Sequence, residues 1–291
     1  MPTSILRALF LPYAYALVCA PALAQPPYPL RVEWVQDGKQ AGAVYARNDR
    51  PVAESLLLLQ VKPGINVTIS GALPIATVVP ANSSVRLVTV RQADAARSWR
   101  GFSWQWVSRI GILGAQHDPK ALYRLPWLPG HSYYVIQAPG GRITTHDTPD
   151  SRDAIDFSLP EGTAVTAARG GIVADTEAGF SVGRADRAFA EKANYVRVLH
   201  DDGTVGVYLH LKPGGVSVKP GQRVEAGSLL GFSGNTGYSS GPHLHFAVLR
   251  VQHEGDRLRY ATVPVRWVAG HPPIEVVVKQ GLTVGGAPRL Q

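Results

Sequence analysis

Cysteine is almost missing from this chain: Cys19 is the only one in 291 residues. It sits in the N-terminal stretch MPTSILRALFLPYAYALVCAPALAQ, after Ala16-Leu17-Val18 rather than after the small residue of a lipid-attachment site. Beyond that stretch there are no thiols, so a disulfide framework is excluded and the fold is held by packing, with or without a bound metal. Long apolar runs are equally scarce. The run from Ala8 to Ala20 is shorter than the ~20 residues that span a bilayer, and Pro12 interrupts it. With one positive charge at Arg7 before it and Ala22-Leu23-Ala24 after it, residues 1–24 read as a secretory signal cut after Ala24. No integral membrane segment is expected after that cleavage, and the expected location is the periplasm or the outside of the cell. Heptads and repeats of fixed period are absent, which excludes coiled coils and solenoids. Basic blocks and aromatic-basic interleaving are absent too, so no nucleic-acid partner is expected.

What remains is a basic chain with a formal net charge of +8, of which Arg7 alone leaves with the signal. Such a charge suits either contact with anionic envelope polymers or plain solubility. The length corresponds to two domains. From Leu30 to about Val90, the runs RVEWV, ESLLLLQV, INVTI and SVRLVTV alternate with turn clusters such as RNDRP and PANSS. Short strands at this spacing predict a β-sandwich, of immunoglobulin-like type, over residues 25–120. WRGFSWQWVSRIG reads as a late strand with Phe102, Trp104 and Trp106 on one face, packed into the sandwich core or, less simply, offered as a sugar-stacking platform.

After a proline- and glycine-rich junction near residue 120, the punctuation changes. AIDFSLPEGTAVTAARGGIVADTEAG and ANYVRVLHDDGTVGVYLHLKPGG divide into strands at Pro160-Glu161-Gly162, Gly170-Gly171 and Asp201-Asp202-Gly203. The last of these is a hairpin signal, since Asp-Gly tolerates positive φ. The second half is therefore predicted as an antiparallel sheet or small β-barrel over 121–275, with a tail over 276–291 whose end, GGAPRLQ, is expected to be disordered. The whole is mainly β.

Chemistry concentrates where alternation breaks the apolar pattern. In PHLHFAV, Leu244 and Phe246 point one way and His243 and His245 the other, about 6–7 Å apart. In TVGVYLHL, Val205, Val207, Leu209 and Leu211 share one face, leaving His210 with Gly206 and Tyr208 on the other. Imidazole nitrogens facing a common space suit zinc, which usually takes four ligands, although a lone His-x-His more often reflects chance or surface polarity. Upstream, GGRITTHDTPDSRDAIDFSLP offers His146 in a polar loop and Asp156 between Ile155 and Phe157. On spacing alone, Asp156 is either an edge-strand carboxylate facing solvent or a buried one that is paired or metal-bound. His117, His131, His200, His253 and His271 fall in turns or polar surroundings, and Tyr208, Tyr238 and Asn235 have packing or turn roles at least as readily as substrate contacts.

AIDFSLPEGTAVTAARGGIV, VYLHL and GFSGNTGYSSGPHLHFAV, in this order, closely resemble the lysostaphin/LytM-type zinc metallopeptidases, which cut peptide bonds in bacterial peptidoglycan. The resemblance covers about residues 121–270, and the segment before it is similar to the sandwich of some exported Gram-negative members. It implies that His146, Asp156 and His245 bind Zn2+ and that His210 and His243 act on the substrate, a cross-link between peptidoglycan stem peptides. It further implies hydrolysis by a metal-activated water, with His243 as general base and His210 orienting it or steadying the oxyanion, roles that could be swapped. His146 lies ten positions before Asp156, whereas many members place that histidine four positions before their Asp and others use a longer loop. Asp147, Asp150 and Asp153 crowd the same loop without matching the motif. The alternative is a catalytically silent envelope protein that activates a separate wall amidase or binds peptidoglycan. Such relatives typically lack metal ligands and carry coiled coils, and this chain does the reverse.

Overall fold

The structure, a computed structural model, describes residues 30–142 and 144–286. The signal read over 1–24 and residues 287–291 of the expected tail lie outside the described residues. No described helix is long and apolar enough to cross a membrane.

Alternation builds the first half as two sheets. One contains Leu30–Asp37, Ala41–Asn48, Ser83–Gln92 and Val67–Ser70; the other contains Ile75–Val79, Glu54–Ile65 and Arg100–Ile110. Val44, Val88 and Val90 of the first meet Leu56, Leu58 and Val79 of the second in a shared core. The four consecutive leucines of ESLLLLQV depart from alternation because their strand is covered on both faces. Leu56 and Leu58 fill the sandwich core, while Leu57 packs with Val251 and Leu258 of the second half. The aromatic strand is likewise structural. Phe102 lies 4.8 Å from Trp34 and 5.7 Å from Trp104, ring centre to ring centre, and all three lean on that core.

The sandwich ends at Ile110, and the next strand, Leu122–Arg124, pairs in parallel with Arg266–Ala269. The large sheet of the second half is antiparallel along its main path. Its centre runs Asn194–Leu199, Val205–Val216, Leu244–Glu254, Ile155–Phe157 and Ser132–Gln137. One face carries Tyr208, Phe246, Phe157 and Leu244 into the main core with Tyr123 and Trp267. On the other face Val205, Val207 and Ala247 pack with Val52 and Ile110 of the sandwich. Contrary to the expected tail, Thr283–Gly285 pairs with Ser132–Gln137, and Val284 joins the main core. Gly285 permits this: its φ is +107°, and a Cβ there would stand 2.2 Å from the His131 carbonyl oxygen.

Candidate metal centre

The strand Leu244–Glu254 keeps the expected alternation at its start. Leu244 and Phe246 are buried in the main core, and His245 projects from the opposite face, between Asp156 on one neighbouring strand and Leu209 on the other. Asp156 is not an edge residue, because Ile155–Phe157 lies between Ser132–Gln137 and Leu244–Glu254. With Ile155 and Phe157 anchored in the core, its carboxylate is forced onto the histidine side at 3% exposure. A buried carboxylate is costly unless paired or metal-bound. Its partners are imidazoles: Nδ1 of His245 stands 2.9 Å from Oδ1, and Nε2 of His146 stands 3.3 Å from Oδ2.

His146 reaches this point from a loop fastened at its far end. Asp153 N donates to Thr262 Oγ1 at 3.0 Å and Thr262 N to the Pro149 carbonyl at 2.8 Å. The loop's other acids are engaged elsewhere, Asp147 near Arg187 and Asp153 with the Thr262 hydroxyl. One ligand atom each from His146, Asp156 and His245 lies within 4.8 Å of the other two.

His210 corrects the periodicity argument. Its φ is +65°, a left-handed conformation that non-glycine residues adopt at a cost of roughly 1–3 kcal/mol, usually at functional sites. There the strand leaves one neighbour for another, pairing Leu209 with His245 and Leu211 with Ser233. Leu211 therefore joins Tyr208 in the main core rather than sharing a face with Val207. The His210 ring turns into the site, 4.5 Å from the His243 ring and 6.0 Å from that of His245.

Hydrogen bonds define which nitrogens face inward. A backbone carbonyl can only accept, so Nδ1 carries the proton in His146 (to Ala154 O, 3.2 Å), His210 (to Thr236 O, 2.7 Å) and His243 (to Gly241 O, 2.8 Å). When neutral, each of these rings then presents an Nε2 lone pair, the form that ligates metals or takes up protons. Burial pushes the His210 pKa down to about 3, helped by the charges of His243 and His245, and burial also lowers that of His243. Burial works against the charge on Asp156, yet His146 and His245 at hydrogen-bonding distance outweigh it and hold the carboxyl well below its ordinary range. A neutral His146 would set an Nε2 lone pair against a carboxylate oxygen, an arrangement that a proton on His146 or a bound cation relieves. Two imidazoles and a carboxylate form a donor set that could hold a metal ion, of the kind zinc takes.

Several supporting residues escaped the sequence argument. Thr236 Oγ1 donates to Leu211 O at 2.8 Å and accepts from Asn194 N at 3.0 Å, which steadies the carbonyl that holds His210. Ser239 Oγ lies 3.2 Å from His243 Nδ1 and donates to Asn235 Oδ1 at 2.6 Å. Gln137 Nε2 donates to Asp156 Oδ2 at 2.6 Å. Tyr208 is on the far face, accepting from Ala168 N at 2.7 Å. His200 is not in polar surroundings: it is buried against Tyr123, its Nδ1 bonded to the Gly170 carbonyl, and burial takes its pKa down to about 4.

With this geometry in view, the comparisons with known proteins bear on the same strands. Residues 150–257 match the model of peptidase family M23, a span that includes Asp156, His210, His243 and His245 and begins after His146. Peptidoglycan DD-endopeptidase ShyA of Vibrio cholerae serotype O1 is 37% identical over 94 residues, which are 32% of this chain and 19% of that protein. Lysostaphin of Staphylococcus simulans is 31% identical over 141 residues, 47% of this chain and 24% of that protein. The chain thus spans about a fifth to a quarter of the length of these curated relatives. Among solved structures, the catalytic domain of the antimicrobial peptidase lysostaphin from Staphylococcus simulans, crystallised in the absence of phosphate, aligns at 28% identity. That alignment has a TM-score of 0.30 and covers 45% of this chain and 87% of that one. Within the second half of this chain, residues 150–257 are thus similar to peptidase family M23.

Proposed function

We propose that this protein is an exported, zinc-dependent endopeptidase that hydrolyses peptide cross-links of bacterial peptidoglycan in the envelope. The observation that carries the reading is the convergence of five side chains from separate segments on one space, three as ligand candidates and two with free Nε2 lone pairs. His146, Asp156 and His245 would hold the ion. When bound, zinc lowers the pKa of a coordinated water from 15.7 to about 7 and polarises the scissile carbonyl.

His243 takes the proton of the attacking water on Nε2. Its side chain is 12% exposed, and its Nδ1–H bond to Gly241 fixes the ring while that proton arrives. The same nitrogen then returns the proton to the leaving amine. His210, pinned through Nδ1, is an acceptor at rest and orients an N–H or O–H of the reactants. It donates to an oxyanion only after taking up a proton. Burial keeps both rings neutral below the ordinary histidine range, which extends base function to mildly acidic pH.

The test is digestion of isolated peptidoglycan and defined muropeptides, with products identified by mass. Cleavage should stop on chelation and return with zinc, and His243→Ala should retain zinc while losing cleavage. Undiminished cleavage by His243→Ala would remove the assigned base. A protein that binds peptidoglycan or a wall amidase but hydrolyses nothing would be the silent regulator instead.

A further inference from the structure

The geometry points to Gln137 as a positioning residue that couples Asp156 to the chain entering His146, holding the two in one metal-binding arrangement despite the long loop between them. This rests on the metal reading proposed above. A histidine and an aspartate ten positions apart do not share one rigid element; inside the loop the His146 ring is tied to the Ala154 carbonyl at 3.2 Å, and Gln137 adds a tie from outside it. Gln137 touches both ends. Its Nε2 donates to Asp156 Oδ2 at 2.6 Å, while its Oε1 accepts from Thr145 N, the residue before His146, at 2.6 Å. Nε2 also lies 3.2 Å from Thr145 Oγ1.

The partners leave no freedom in orienting the amide, since a carboxylate oxygen only accepts and a backbone N–H only donates. They also explain the residue type. Glutamate lacks the donor and would repel Asp156, arginine and lysine lack the acceptor, and asparagine is a methylene short. A shift in pairing aims the side chain: Val135 pairs with Phe157 and Gln137 with Asp156 across an irregularity between Asp156 and Phe157. Strict alternation would have put Gln137 on the same face as buried Val135. The strand end is itself braced, because Gln280 Nε2 donates to the Ile136 carbonyl at 2.9 Å and Gln280 Oε1 accepts from Arg142 N at 2.7 Å.

The test measures zinc dissociation constants by competition with a chromophoric chelator, for the wild-type chain, Gln137→Met, which keeps the volume without the amide, and Tyr134→Ser, an exposed change on the same strand. Gln137→Met should weaken zinc binding by ~10–100-fold, the usual cost of losing an outer-shell partner, and Tyr134→Ser should leave it unchanged. In parallel, the Thr145 amide of the wild-type protein should resist hydrogen exchange in the zinc-bound state, a readout that survives if the variant misfolds. Wild-type affinity in a folded Gln137→Met, or a Thr145 amide exchanging at the unprotected rate, overturns the coupling alone. A wild-type chain that takes up no zinc overturns the metal reading and this inference together.

Discussion

At the seam between the sandwich and the large sheet, Arg50 Nε lies 3.2 Å from Glu54 and its Nη1 lies 3.5 Å from Asp175. At the candidate metal centre, by contrast, the carboxylate of Asp156 faces imidazoles and the Gln137 amide. Both clusters are buried, and both hold charges that water would otherwise solvate. The seam carries its own cations: guanidinium stays protonated in proteins, Ser108 donates to Glu54, and Tyr195 donates to Asp175 at 2.9 Å. Burial raises the Glu54 pKa all the same, against the pull of Ser108 and Arg50. Among the described residues, the ion-pair partners of Asp156 are histidines only. These imidazoles are tied through Nδ1 to carbonyls or, for His245, turned toward Asp156, so lone pairs and a negative charge point at one space. The first cluster carries its own cations and joins two halves of the protein; the second groups three side chains that could hold a metal ion.

Mutation should separate the two most sharply at Asp156. Asp156→Ala is expected to cost zinc affinity well beyond the ~10–100-fold of an outer-shell loss and to reduce muropeptide cleavage to background, with metal analysis as the check. Retained zinc would make Asp156 a structural acid like those of the seam. Next, Arg50→Met leaves Glu54 with the Ser108 hydroxyl but without the Arg50 cation and should destabilise the fold by about 3–5 kcal/mol in urea unfolding while zinc affinity holds. A joint loss of both would mean that the seam supports the site.

His200 tests burial of a neutral imidazole away from the metal. Its folded pKa of about 4, against 6.5 unfolded, means that the unfolded chain binds more protons between those values, so stability falls as pH drops through that window. Over the full window the loss is roughly 3 kcal/mol. Urea unfolding at pH 7 and at pH 4.5 should show a smaller loss in His200→Asn, which can keep a donor toward Gly170, than in the wild type, the remaining loss coming from His210 and His243. Smallest of all, Tyr208→Phe strips the acceptor from the buried Ala168 N–H and should cost about 1–3 kcal/mol with kcat unchanged, since the hydroxyl is on the face opposite the histidines.

Much of this was legible along the chain. Period-two patterning separated Leu244 and Phe246 from His245 before any pairing was known, and glycine and proline clusters located the turns. The unbroken leucines at 56–59 depart from that patterning, and only the packing showed that their strand is covered on both faces. His210 was legible as a candidate by type and motif, but its placement was not. Its left-handed backbone breaks the alternation that had put Leu211 with Val207. Gln137 was hidden for the same reason, by a shift in register.

Chain order alone determined which chemistry was on offer: three histidines and an aspartate at positions where polar side chains leave apolar faces, because alternation is a local consequence of backbone geometry, and a fourth histidine, His146, in a polar loop. Tertiary structure decided which acid among Asp147, Asp150, Asp153 and Asp156 meets them, that residues past 276 return to the sheet, and that His146 completes the cluster. Those outcomes depend on strand neighbours, loop anchors and burial. They come from contacts between residues far apart in sequence, for which no local pattern leaves a trace.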